Sequence, residues 1–298
     1  PPPPPPPPIF FFTHNTEYEI LSGLVGSEMC IRDRRDIDQR NALKGITYLF
    51  MTPDQNQTKQ RVERLLELYE FAVLPEVSYL AASENQIYLI NDHHSNRRYV
   101  IRINSGRLAY HNAEQIHSEM MWLDALGTDT DVIVPKVLAA KDGSWVQELK
   151  LPGKDQPSYA VVYSFLDGVE PPEDELVEGF ERLGTISAQM HFHAKRWMPP
   201  SEFTRPVWTP EAILTDQLSW GNWREGVNIN AEALNVLQRT EAVIHRRLED
   251  ADAGSENYGL IHADLRLANL LIHGETTAII DFDAVSYTHL TLPTKRIV

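Results

Sequence analysis

The sequence predicts an α+β protein of two lobes, a small strand-rich N-terminal lobe and a mainly helical C-terminal lobe. Three observations carry that prediction. Up to residue 165, apolar residues come in short runs and alternations broken by polar turns, with one long helical pattern among them. Beyond Gly168 the apolar spacing turns helical over 173–194 and again over 231–250. A short β-rich stretch at 260–280 then follows.

Taken in order, Val62, Leu65, Leu66, Tyr69 and Phe71 fall close to helical spacing and predict an amphipathic helix over 57–71, with Thr52-Pro53-Asp54 as its opening signal. Strand-like runs follow at 78–81, 86–90 and 98–103, and the polar stretch 91–96 reads as a hairpin turn. Residues 113–126 form the best helical pattern of the first half. Strands are predicted at 131–138 and 144–149, on either side of an Asp142-Gly143 turn, and a buried strand at 159–165. The 173–194 helix carries Leu176, Phe180, Leu183, Ile186 and Met190, and a Pro- and Trp-rich excursion at 196–230 separates it from the last helix. No internal repeat is present.

The chain has 298 residues, 42% of them hydrophobic, a formal charge of −15 and a single Cys. That length supports a sizeable core. No apolar run approaches the roughly 18–20 residues of a membrane span, and the acidic balance argues against a nucleic-acid partner. One Cys forms no internal disulfide, which fits a reducing, cytoplasmic setting. The ends read as foreign to the fold. Eight prolines precede Ile-Phe-Phe-Phe, LVGSEMCIRDR (24–34) resembles a translated sequencing-adapter end, and VSYTHLTLPT (285–294) resembles the opposite strand of one. The expected organisation is therefore 1–34 non-native, 35–165 an N-terminal nucleotide-binding lobe with Met51 as the candidate native start, 166–284 an incomplete helical C-terminal lobe, and 285–298 non-native. The excluded ends hold four basic and four acidic residues, so the charge of −15 stays with 35–284, which contains no Cys.

Chemistry concentrates in LIHADLRLANLLIHGETTAIIDFDA (260–284). His262, Asp264 and Asn269 are spaced H-x-D-x4-N; apolar residues and a His273-Gly274-Glu275 turn follow, and a second apolar run delivers Asp281-Phe282-Asp283. A hairpin with Asn269 at its entry and Asp281 at its exit brings Asp264, Asn269 and Asp281 to one edge. Phosphoryl transfer needs that set: one carboxylate to accept the acceptor's proton, and an Asn and a second carboxylate to hold Mg²⁺ on nucleotide phosphates. The three fixed positions alone would match by chance in roughly one chain in thirty. The strand ending in Asp-Phe-Asp twelve residues after Asn269 makes the pattern far more specific. For His262 alone, a satisfied core histidine that organises the loop is the better reading.

These residues resemble the catalytic and metal-binding loops of the aminoglycoside phosphotransferase superfamily, over about 55–284. The resemblance implies a two-lobed protein-kinase-like fold, Asp264 as catalytic base, Asn269 and Asp281 as Mg²⁺ ligands with Asp283 beside them, ATP as donor, and a small-molecule hydroxyl as acceptor. Asp283 stands where a protein kinase carries Gly, which favours a small-molecule kinase. Such a fold also needs a cation on the third strand and a Glu on the next helix. In Tyr99–Ile103 the alternation puts Val100 and Arg102 on one face. Ile116, Glu119, Met120 and Leu123 share a helical stripe, so a buried Glu119 needs a partner and Arg102 is the obvious one.

Two departures stand out. Arg102 occupies the usual Lys position, and the two residues are not interchangeable. The loop Ala82-Ser83-Glu84-Asn85 has no Gly, so Ser83 and nearby N–H groups are the expected phosphate contacts. Ser164, Phe165 and Leu166 occupy the hinge, where backbone groups would read adenine. His191 and His193, two apart on a helix, make a poor metal pair. Trp197, Trp208, Trp220 and Trp223 are expected to pack the excursion, and the acidic surface would suit a cationic substrate. The rival readings are a Ser/Thr protein kinase of the same fold and an inactive pseudokinase acting as an interaction module.

Overall fold

The computed structural model describes residues 53–82, 85–104, 112–172, 176–214, 222–227, 229–249 and 258–289. The first helix among the described residues, α1 (Pro53–Leu65), runs into a 3-10 turn at Leu66–Leu68. Strands β1 (Glu76–Ala82), β2 (Asn85–Asp92) and β3 (Arg97–Asn104) then form an antiparallel meander. Helix α2 (Ala113–Asp129) follows, with β4 (Val137–Leu138), β5 (Gln147–Leu149) and β6 (Ser158–Ser164) completing the sheet. Its order is β1-β2-β3-β6-β4, with β5 also on β6.

Alternation on β3 and β6 divides the apolar residues between two cores. Ile101, Ile103, Ala160 and Val162 face out, where Val62, Leu65, Leu66 and Tyr69 cover them. Val161 and Tyr163 face in and join Ile116, Met120, Trp122, Leu123 and Leu126 of α2. This inner core continues into the second lobe through Leu183, Ile186, Met190, Leu260, Leu270, Ile279 and Phe282. Helix α2 is therefore the wedge between the lobes. Its N-cap is Asn112, whose side chain accepts from the N–H of Gln115 at 2.9 Å.

The second lobe comprises α3 (Leu176–Ala194), α4 (Pro210–Leu214), α5 (Ala231–Glu249), β7 (Tyr258–Ile261), the hairpin β8 (Leu270–His273) and β9 (Thr276–Ile279), and β10 (Ser286–His289). The excursion after α3 is held by aromatic contacts. Trp197 meets Phe203 edge-on at 5.0 Å, and the Trp223 indole donates to the Leu214 carbonyl. Trp220 lies outside the described residues.

Among the boundaries that shift from the sequence reading, two bear on the site. In the stretch 131–138 only Val137–Leu138 pairs with β6, and Ile133 makes an isolated bridge to Ala278; Pro135, with no N–H to give, stands between them. The sequence reading sets 285–298 aside as non-native, and the structure places part of that stretch against the second lobe. Val285 is fully buried, and Ser286–His289 pair antiparallel with Tyr258–Ile261, as β-branched and aromatic residues in alternation allow. Among the described residues no helix is long and apolar enough to cross a membrane.

Candidate active site

The cleft face of β3 carries Arg102, and α2 presents Glu119 to it. The guanidinium donates through Nη1 to Oε1 at 2.8 Å and through Nη2 to Oε2 at 2.6 Å, a two-pronged contact that a Lys could not make. Both side chains are buried. Burial works against the Arg102 charge, but Glu119 beside it prevails and holds the guanidinium more firmly protonated than usual. The Tyr163 hydroxyl adds a long bond to Glu119, and its ring lies 5.5 Å from the Arg102 guanidinium carbon. The Arg102 Nε–H is buried with no partner. Val100 is half-buried on the same strand face, toward the hinge.

The H-x-D-x4-N segment follows β7 and folds as a left-handed turn at Ala263 and a 3-10 turn at Leu267–Asn269. Ala263 has φ 66° and Asp281 has φ 71°, a conformation that costs a non-Gly residue about 1 kcal/mol or more. His262 bridges these two strained points. Its Nε2–H donates to the carbonyl of Ile280 at 3.1 Å, and its Nδ1 accepts from the N–H of Asp264 at 3.3 Å. One neutral tautomer satisfies both bonds. Burial pushes its pKa down to about 4, with the Ile280 contact and the nearby Asp264 and Asp283 opposing. The ring packs on Phe282 at 4.6 Å, which in turn meets Trp122 edge-on. His262 is thus the strut of the loop rather than a group in contact with reactants.

Asn269 completes the tie. Its side-chain amide donates to the Asp264 backbone carbonyl at 2.8 Å and to Asp264 Oδ2 at 3.1 Å, while its backbone carbonyl accepts from Ile280 N–H at 2.9 Å. Asp264, Asn269 and Asp281 are therefore linked by backbone and side-chain bonds within one loop pair. The Asp264 carboxylate keeps 41% of its surface exposed. Arg266 lies 3.5 Å from it.

The Asp281 carboxyl is pushed well above the ordinary carboxylate range, by burial first and then by Asp283, with Asp264 and Glu119 adding to this and Arg102 opposing. So many carboxylates in one cleft are the chemistry of a divalent-cation site. Among the described residues, no three His, Cys, Asp or Glu side chains form a ready-made cage. Mg²⁺ does not require one, because it takes one or two carboxylates and completes its shell with substrate phosphates and water. Asp281, Asp283 and the Asn269 amide fit that donor set.

The structure also brings in residues the sequence reading missed. Asp283 Oδ2 accepts from the Asn85 amide at 2.8 Å, and Asn85 Oδ1 accepts from the Asn104 amide at 3.2 Å. Buried Arg205, from the excursion, donates to the backbone carbonyls of Val285 at 2.6 Å, Gln115 at 2.8 Å and Asp283. The only signal for Arg205 was a cation in an aromatic-rich segment, and for the two Asn residues their position at strand ends.

The hinge is only partly free to read a base. The N–H of Ser164 donates to the Lys136 carbonyl at 2.7 Å and that of Phe165 to the Arg98 carbonyl at 3.0 Å, which leaves Leu166 of the three expected residues. The Ser164 hydroxyl accepts from Lys136 N–H, and Arg98 lies over the Phe165 ring. Ser83 lies outside the described residues. The imidazole of His193 is used structurally, accepting from the Trp122 indole and bonding Asp129.

Residues 77–292 match the phosphotransferase enzyme family, APH. The chain belongs to that family. It is 36% identical to a microcompartment-associated aminopropanol kinase of known structure, covering 77% of this chain and 70% of that one with a TM-score of 0.66. It is 27% identical over 217 residues to amicoumacin kinase of Bacillus subtilis (strain 168), covering 71% of this chain and 59% of that protein. An amicoumacin kinase solved in complex with AMP-PNP and Ca²⁺ shares the fold at a TM-score of 0.60 and 23% identity, covering 79% of this chain and 68% of that one. The chain thus spans about three-fifths of the length of the curated relative that it matches.

Proposed function

We propose that this phosphotransferase moves the γ-phosphoryl group of ATP to a hydroxyl of a small amino alcohol, with Mg²⁺ as its divalent ion. The observation that carries the reading is the loop pair in which His262 and Asn269 lock Asp264 and Asp281 together. Asp264, half-open to solvent, orients the acceptor hydroxyl and takes its proton. The new bond forms between the acceptor oxygen and the γ-phosphorus, the β,γ-bridging P–O bond breaks, and ADP leaves. Arg102, held by Glu119, steadies the phosphates through its positive charge. Asp281, Asp283 and Asn269 would hold the divalent ion, whose charge offsets that of the phosphate oxygens. Leu166 supplies the hinge N–H for the base.

The amino alcohol class rests on the aminopropanol kinase relative and on the charge of −15, which draws cations to the surface. The test is ADP release from ATP against a panel of amino alcohols and their uncharged diol counterparts, with Mg²⁺ present or chelated. The reading expects Mg²⁺-dependent release with amino alcohols and at least ten-fold less with diols. Labelling of protein in place of small molecules would point to a protein kinase, and Mg·ATP binding without transfer would point to a pseudokinase.

A further inference from the structure

The Asn104–Asn85–Asp283 chain crosses from the first lobe to the second beside the face of β3 that carries Arg102. All three residues are buried. A carboxylate only accepts, so Asn85 must offer its NH₂ to Asp283 and its oxygen to Asn104, and Asn104 must in turn donate. Both amide orientations follow from the one carboxylate. Asn104 Oδ1 is left buried with no partner. A leftover acceptor of that kind is costly, and two apolar residues facing each other across β2 and β3 would avoid it.

Asp283 is held twice over. Arg205 fixes the backbone carbonyls of Asp283 and Val285 from the second lobe, and Asn85 fixes the carboxylate from the first. Asn85 opens β2 and sits opposite Asn104 in register, with Arg102 two residues earlier on the same face of β3. The amide that reaches Asp283 thus belongs to the same wall as the phosphate-facing cation. Removing it would take away a 2.8 Å hydrogen bond to the carboxylate while leaving the backbone contacts of Arg205 in place.

We infer that Asn85 is a positioning residue for Asp283, setting its carboxylate for a divalent ion from across the cleft. This rests on the divalent-ion role proposed above for Asp283. Ligands held in their working rotamer bind more tightly than ligands that must be ordered on binding.

The test is a double-mutant cycle read by calorimetry of ADP binding as a function of Mg²⁺, using the 298-residue chain, with circular dichroism to confirm that each variant is folded. Asn85→Ala should raise the Mg²⁺ concentration for half-maximal ADP binding about ten-fold, and the same change in an Asp283→Asn background should add less than two-fold. Asn85→Asp is the second variant. It sets two carboxylates against each other, so its thermal midpoint should fall without Mg²⁺ and show a larger Mg²⁺-induced rise than the parent's. An Asn85→Ala protein with parental Mg²⁺ dependence, or one equally weakened in both backgrounds, would overturn the inference. If the parent shows no Mg²⁺-dependent ADP binding, or Asp283→Asn leaves it intact, the ion reading itself fails, and the inference with it. Those two measurements do not involve Asn85, so the failures are distinguishable.

Discussion

Replacing His262 with Gln should flatten part of the acid side of the stability profile. The imidazole has no exposed surface, and its pKa is pushed from 6.5 to about 4 by burial. Between those two values the unfolded chain binds a proton that the folded chain refuses, so stability is full above about pH 6.5 and is lost as the pH falls toward 4. The whole shift is worth about 3 kcal/mol, and at pH 5 roughly 2 kcal/mol has already gone. Gln does not titrate, and it retains an N–H to give and an oxygen to accept. Urea unfolding of both proteins at pH 7.5, 6 and 5 isolates the effect, because carboxylates common to both cancel in the difference. The parent should lose about 2 kcal/mol more than the variant between pH 7.5 and 5. A difference that stays constant over that range would refute a neutral, buried His262 strut.

Three further perturbations follow from the same geometry. Arg102→Met strands Glu119 as a buried, unpaired carboxylate and should cost about 3–5 kcal/mol in chemical denaturation, most of it recovered in Arg102→Met/Glu119→Leu. Arg205→Lys cannot reach the carbonyls of Gln115, Asp283 and Val285 together; it should cost about 2 kcal/mol and increase amide exchange over 283–286. Gly168→Ala puts a Cβ 2.9 Å from the Leu271 Cβ and 3.1 Å from the Ile272 carbonyl oxygen at φ 152°, so the thermal midpoint should fall by several degrees.

Much of the site was legible because it depends on local periodicity. A period of two on β3 and of 3.6 on α2 placed Arg102 and Glu119 on facing surfaces, and the structure joins them by two hydrogen bonds. The H-x-D-x4-N spacing and the short hairpin likewise keep Asp264, Asn269 and Asp281 close through nearby chain. What was not legible is long-range and aperiodic. Asn85 and Asp283 are 198 positions apart, and nothing in an Asn at a strand start announces its partner. Arg205 acts on backbone carbonyls, which carry no sequence signature. Pairing of β6 with its neighbours, set by tertiary contacts, also consumes the N–H groups of Ser164 and Phe165, which no local pattern announces. The stretch 131–138 looked like a strand by composition, yet a strand also needs a free neighbouring edge, and only Val137–Leu138 finds one.

The central claim is that Asp264 handles the acceptor proton while other groups bind the nucleotide. Single-turnover transfer from radiolabelled Mg·ATP to an amino alcohol, measured beside ADP affinity in the parent and in Asp264→Asn, tests it most directly. The account predicts a transfer rate about 10²–10⁴-fold lower with ADP affinity within two-fold of the parent. A variant that transfers at the parental rate, or that loses ADP binding in proportion to rate, would contradict it.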